Sequence, residues 1–172
     1  DELVILNIEG EKGIAPLIAL ISELVKVCFM PLTLGGGITS LSDASALIAQ
    51  GADKIFINTE CYSNYPLISE IANRFGRQAV VCGIDVRFDH EANEYALFSK
   101  NGSRKEAVGL LTHIHKLQEA GAGELMIQSI DRDGEMQGYD LSLAKLVENN
   151  STIPVLVAGG AGNYESLKAL FM

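Results

Sequence analysis

Asp85 closes the run "AVVCGID", so an ionisable group stands at the end of an otherwise apolar stretch. Burial among apolar neighbours, with other carboxylates nearby, raises a carboxyl pKa and suits the group to general acid and base work. An aspartate there could equally cap a helix or pair with a loop cation, and the sequence leaves that open. Asp131, Asp133 and Asp140 follow in "SIDRDGEMQGYD", spaced by Gly134 and Gly138. The spacing resembles a calcium loop only superficially, because no glutamate falls at the closing position. A loop that turns backbone amides toward an anion is the better expectation. Two glycine clusters complete the set: "PLTLGGGIT" (31–39) with Gly36 and Gly37, and "IPVLVAGGAG" (153–162) with Gly159 and Gly160. At a strand-to-helix turn, glycine lets backbone N–H groups approach an anion, and the helix that follows adds its dipole. Tight turns use glycine too, so one cluster alone says little.

The remaining reactive side chains point to no metal and no cofactor. His113 and His115 are two apart on an expected helix and so face different ways, and His90 stands alone in a polar segment. Cys28, Cys61 and Cys82 are odd in number, lack CxxC spacing and sit beside apolar residues. They are expected as buried free thiols of a reducing cytoplasm.

The elements that must position these residues alternate along the chain. Nearly continuous apolar runs at 3–8, 32–34, 54–58, 79–85, 124–130 and 155–158 predict parallel strands covered on both faces. Between them, helical spacing predicts helices at 14–27, 41–50, 66–75, 107–120 and 142–149. Gly51, Gly76 and Gly121 stand just past three of these ends. The pattern is βαβα throughout, which predicts an α/β fold with a parallel sheet. Residues 86–105 break the rhythm. Tyr95, Leu97 and Phe98 lie between polar clusters there, and an Asn101-Gly102 turn signal follows, so an inserted β-hairpin or long loop is expected.

An internal repeat selects the architecture. "DELVILNI" (1–8) matches "GELMIQSI" (123–130) with Glu, Leu and Ile in register, and Glu2 precedes Pro31 by 29 positions as Glu124 precedes Pro154 by 30, each proline leading a glycine cluster. A unit of two strands and two helices recurring in this way fits the two related halves of a (β/α)8 barrel of the TIM, phosphate-binding type. An open doubly wound sheet requires no such symmetry. A full barrel takes about 250 residues, so 172 residues with six strands are expected to form one incomplete barrel domain, 1–172, covering about strands 2 to 7. The abrupt start inside a strand pattern, and "ESLKALFM" ending in helical spacing, agree with that expectation. In a barrel the strand ends meet at one mouth, so two glycine turns related by the repeat suggest a ligand with a phosphate at each end.

Composition excludes other classes. The net charge is −9 with no basic stripe, which disfavours nucleic acid. No apolar run approaches the ~20 residues of a membrane span, and the first residues lack a basic n-region, so no secretory signal is expected.

"LGGGIT", "GADKIFIN", "VVCGIDV", "GAGELMIQSIDRDG", "GYDL" and "IPVLVAGGAG" together resemble the cyclase subunit of imidazole glycerol phosphate synthase, across essentially the whole chain. The resemblance implies a (β/α)8 barrel and a cytoplasmic lyase of histidine biosynthesis that needs no cofactor. Such an enzyme takes ammonia from a glutaminase partner. It converts a bis-phosphorylated ribulosyl aminoimidazole carboxamide into imidazole glycerol phosphate and an aminoimidazole carboxamide ribotide. By motif, Asp85 is then one of two acid/base aspartates. Gly36, Gly37, Asn58 and Thr59 serve one phosphate, and Asp133, Gly134, Gly159 and Gly160 the other side. At the opposite mouth Glu2, Lys54 and Glu124 match three of four charged residues gating ammonia, and Asp53 faces the glutaminase. Without the resemblance these four read equally well as charged caps on strand starts. Asn7 stands where the common pattern has aspartate, and Gln128 where it has threonine. Both departures resemble a paralogous branch that passes ammonia to nucleotide-sugar or polysaccharide precursors. A fragment that only binds the glutaminase is the third alternative.

Overall fold

The computed structural model describes residues 2–9 and 13–172. Six strands run parallel: β1 (Leu3–Leu6), β2 (Leu32–Gly35), β3 (Lys54–Ile57), β4 (Val80–Asp89), β7 (Glu124–Ser129) and β8 (Val155–Ala158). Between and after them come the helices α1 (Ala15–Leu24), α2 (Leu41–Ala49), α3 (Tyr65–Phe75), α4 (Leu110–Ala120), α5 (Leu141–Glu148) and α6 (Tyr164–Leu170). Each parallel strand pairs with the next parallel strand in the chain, from β1 to β8, without a reversal of order. A doubly wound sheet needs such a reversal at its switch point. A singly wound order is that of consecutive units of a (β/α)8 barrel.

β4 runs past Asp85 as far as Asp89 and turns back into β5 (Glu94–Ser99), which carries β6 (Arg104–Lys105). β3 pairs with β4 at Val80, Val81 and Cys82, and β7 holds the other edge from Val81 to Val86. Asp85 and Val86 pair with both β7 and β5, so β5 takes over the edge that β3 leaves. The hairpin therefore stands above the end of β3, beside the strand ends.

Strand alternation sorts the side chains. Leu32, Leu34, Ile55, Ile57, Val80, Cys82, Ile84, Leu125 and Ile127 pack with Ile21, Leu47, Ile68, Ile71, Ile114 and Leu117 of the helices in one buried cluster. The opposite face carries Thr33, Lys54, Phe56, Asn58, Val81, Gly83, Asp85, Glu124 and Gln128, because successive strand residues point to opposite sides. Phe56 fills the middle of this inner face. A Cβ at Gly83 would stand 2.3 Å from its ring, and one at Gly35 would stand 2.7 Å from it. Both glycines are small because the ring lies across them.

Several predicted bounds shift: β1 ends at Leu6 rather than 8, and β4 runs on from 85 to Asp89. The helix expected over 14–27 stops at Leu24, and residues 25–27 turn instead, with Val27 exposed and no glycine to end it. The helix expected from 107 starts at Leu110, because Gly109 is extended as its N-cap. α6 ends at Leu170, with Phe171 as its cap. Among the described residues no helix is long and apolar enough to cross a membrane.

Candidate active site

Asp85 lies on the inner face at the C-terminal end of the parallel pairing and is 9% exposed. Asn58, the first residue beyond β3, donates from Nδ2 to Asp85 Oδ1 at 2.9 Å. Burial lifts the Asp85 carboxyl above its ordinary range; the Asn58 hydrogen bond works against the rise, and the Asp133 charge adds to it. Asp85 is thus neither a helix cap nor a salt-bridged loop residue. It is a desolvated acid facing the mouth, held by a neutral amide. Gln128, its register partner on β7, donates to Asp133 at 3.0 Å. Asp133, expected beside the second glycine turn, is drawn by this bond toward Asp85.

The two glycine turns are built alike. Asn7 N–H donates to Gly35 O at 2.8 Å, and a Cβ at Gly36 would stand 2.1 Å from Asn7 O. In the second half, a Cβ at Gly159 would stand 2.4 Å from Ser129 O. Asn7 and Ser129 are equivalent positions of the repeat. Gly36, Gly37, Gly159 and Gly160 all have φ between 77° and 95°, where side chains are rare. The following helix starts match too. Ser40 caps α2 and Asn163 caps α6, each in a reciprocal capping box with Asp43 and Ser166 respectively. Thr39 and Ser40 N–H both donate to Asp43 Oδ2 at 3.0 Å, so Asp43 occupies those two amides.

The 131–140 loop closes on the second turn. Gly138 N–H donates to Gly160 O at 2.8 Å, and Arg132 reaches Gly138 O at 3.1 Å. Gly134 stands open: its φ is 78°, and a Cβ there would meet nothing within 4 Å. Asp140 caps α5 and accepts from the Tyr95 hydroxyl of β5. Asn101, at the far turn of the hairpin, donates to Ile8 O at 3.0 Å, and a Cβ at Gly102 would lie 3.3 Å from Ile130. Ile8 and Ile130 are again repeat equivalents, so the β5–β6 turn rests against both halves. Arg87 pairs with Asp131 at 2.7 Å on an exposed face.

At the other ends of the strands Lys54 Nζ lies 2.9 Å from Glu2 and 2.6 Å from Glu124, and Thr33 donates to Glu2. Burial tends to raise the Glu2 carboxyl, but the bonds from Thr33 and Lys54 and the Lys54 charge pull it below its ordinary value. Burial likewise tends to lower Lys54, and the two carboxylates outweigh it and raise it. Asp53 is exposed and accepts the Leu32 N–H at 2.8 Å, so it also caps the start of β2.

One cluster next to the mouth has no motif in the sequence. The turn after Asn58 is a 3-10 helix, Thr59–Tyr62, and the Tyr62 ring stacks on His113 of α4 with centroids 4.3 Å apart. His113 Nδ1 lies 2.9 Å from the Tyr65 hydroxyl. Burial holds His113 neutral, with its pKa lowered to about 4, against the pull of Glu106 and with the help of Lys116. The three cysteines are free thiols, with Cys61 and Cys82 buried and Cys28 half-buried. No group of three or more possible ligands is placed to hold a metal among the described residues.

The model of the family described as "Histidine biosynthesis protein" matches residues 1–172. Curated relatives named imidazole glycerol phosphate synthase subunit HisF are similar over nearly all of the chain. The protein from Sulfurisphaera tokodaii is 38% identical, covering 96% of this chain and 66% of its own length. That of Leptospira biflexa is 35% identical, covering 100% and 68%, and that of Chloroherpeton thalassium is 40% identical, covering 97% and 66%. The chain thus spans about two thirds of the length of the curated relatives it matches.

Proposed function

The chain belongs to the histidine biosynthesis protein family, and from that premise we propose that it serves as the cyclase subunit of imidazole glycerol phosphate synthase. Its 172 residues supply one partial barrel, with the hairpin of 86–105 inserted, to a cytoplasmic lyase. The substrate is a bis-phosphorylated ribulosyl aminoimidazole carboxamide. Ammonia from a glutaminase subunit enters past Glu2, Lys54 and Glu124, and Asp53 lies on the glutaminase side. The observation that carries this reading is Asp85, a desolvated carboxyl on the inner face between two repeat-related glycine turns.

Each residue then has a chemical task. Asp85 keeps its proton to a higher pH than an ordinary carboxyl, so it can protonate the group that departs as the carbon–nitrogen bonds rearrange. Asn58 donates to the carboxylate that remains and favours its charged form. Gly36, Gly37 and Thr59 lie at one phosphate, and Gly134, Gly159 and Gly160 at the other. Lys54 sits four residues before Asn58 on the same inner face, about 13 Å along the strand. That is the distance ammonia has to cover inside the barrel.

A histidine auxotroph lacking the cyclase should grow when given the full-length gene. No growth despite soluble expression would overturn the assignment. A second reading has its own observation. Asn7 bonds to Glu9 N–H and to Gly13 O, and Gln128 to Asp133, so two mouth positions are taken up by amides. This favours a cyclase-like paralogue that passes ammonia to a nucleotide-sugar or polysaccharide precursor. Failed complementation together with stimulation of glutamine hydrolysis in a partner glutaminase would select it.

A further inference from the structure

Asn58 presents a problem that its own strand does not solve. Its Nδ2 is on Asp85, but its Oδ1 is buried and has no hydrogen-bond partner. A buried acceptor left unpaired is unfavourable, so a free amide would rotate toward water and release Asp85. Something must hold the turn that carries it.

We propose that His113 is a positioning residue for the acid/base centre: stacked on Tyr62 and bonded to Tyr65, it clamps the Asn58-to-Tyr62 turn and so keeps the Asn58 amide on Asp85. The inference rests on the functional reading above only for calling Asp85 the acid/base group. Three contacts make the clamp. Cys61 N–H donates to Asn58 O at 2.9 Å, which closes the turn on Asn58. The Tyr62 and His113 rings lie nearly parallel, 8° apart, and His113 is completely buried. Tyr65 opens α3, and its hydroxyl fixes His113 Nδ1 while Lys116 lies 5.6 Å over its ring. His113 Nε2 and the Tyr62 hydroxyl, like Asn58 Oδ1, are buried without partners. Apart from the Tyr65 bond to Nδ1, neither ring is held by a side-chain hydrogen bond, and the stack is what ties Tyr62 to α4. The charged and titratable groups facing the clamp are Glu106 and Lys116 at His113, and Asp85 and Cys61 at Tyr62; Asp133 is the other charge at Asp85.

The test is a carbon-13 titration of the Asp85 carboxyl in the full-length protein, which needs no turnover and so stands or fails apart from the assigned reaction. His113→Leu removes the stack. The Asn58 bond to the carboxylate is then lost, and Asp85 should titrate at a higher pH than in the parent, as in Asn58→Ala. The double variant His113→Leu/Asn58→Ala should shift no further than Asn58→Ala alone. His113→Phe keeps the stack and should restore the parent titration. Where His113→Leu does not fold, Tyr62→Leu opens the same stack from its less buried side and should give the same upward shift. A folded His113→Leu or Tyr62→Leu protein with an unchanged Asp85 titration would overturn the proposal. So would a double variant whose shifts simply add.

Discussion

Asp85 and Asn58 act as a pair at the scale of single residues. A desolvated carboxyl whose folded pKa lies above its unfolded value favours the folded state at low pH. That advantage disappears as the pH rises through the folded pKa. Asp85→Asn removes the ionisation and should therefore raise the melting temperature at pH 7, with the gain fading below the ordinary carboxylate range. The same change should lower turnover by at least ~100-fold, the usual contribution of a general acid or base, while substrate affinity measured by calorimetry survives. His113 has the opposite sign. Its folded pKa of about 4 lies below the ordinary histidine value, so stability from its neutral form is full above pH 6.5 and is lost as the pH falls toward 4. That loss is on the order of 3 kcal/mol. Urea unfolding at a series of pH values should show it in the parent and not in His113→Phe.

At the scale of elements, the glycine turns are close approaches as much as anion cradles. Gly36 and Gly159 each bring a strand-to-helix turn against the backbone at the end of the preceding strand. Alanine at either meets a carbonyl oxygen and a left-handed φ, and each substitution should destabilise by upward of ~2 kcal/mol in chemical denaturation. The equivalence of the two turns predicts similar losses at both. Gly83→Ala should also destabilise, for a different reason: its Cβ would stand 2.3 Å from the Phe56 ring, which would have to move. These elements were largely legible in the sequence. Apolar runs bounded by proline and glycine mark β2, β3, β7 and β8 to within one or two residues. β4 beyond Asp85 was legible only as a hairpin or long loop over 86–105; that Arg87 and Asp89 continue β4 itself depends on antiparallel pairing to β5, which fixes the register. Asp85 stood out as a charge ending an apolar run. The His113 and Tyr62 clamp did not, since a buried histidine on an amphipathic helix looks like any core position. Its partner is 51 residues away and is reached only when α4 packs over the turn.

At the scale of the whole molecule, the singly wound order puts two unlike ends on one sheet. One end carries Glu2, Lys54 and Glu124 in contact, and the other carries Asp85, Asn58 and the glycine turns. Lys54 holds two carboxylates in place, so Lys54→Met leaves both facing each other. It should cost about 1–3 kcal/mol of stability, less than the figure for a fully buried pair because all three groups keep some exposure. It should also uncouple glutamine hydrolysis from product formation while leaving turnover with free ammonium nearly intact. The most direct measurement of the account is turnover of the bis-phosphorylated substrate by the full-length protein with ammonium salt and no glutaminase, parent beside Asp85→Asn. The account predicts product from the parent and none from the variant, with equal substrate binding in both. Undiminished turnover by Asp85→Asn, or none by a folded parent that binds the substrate, would contradict it.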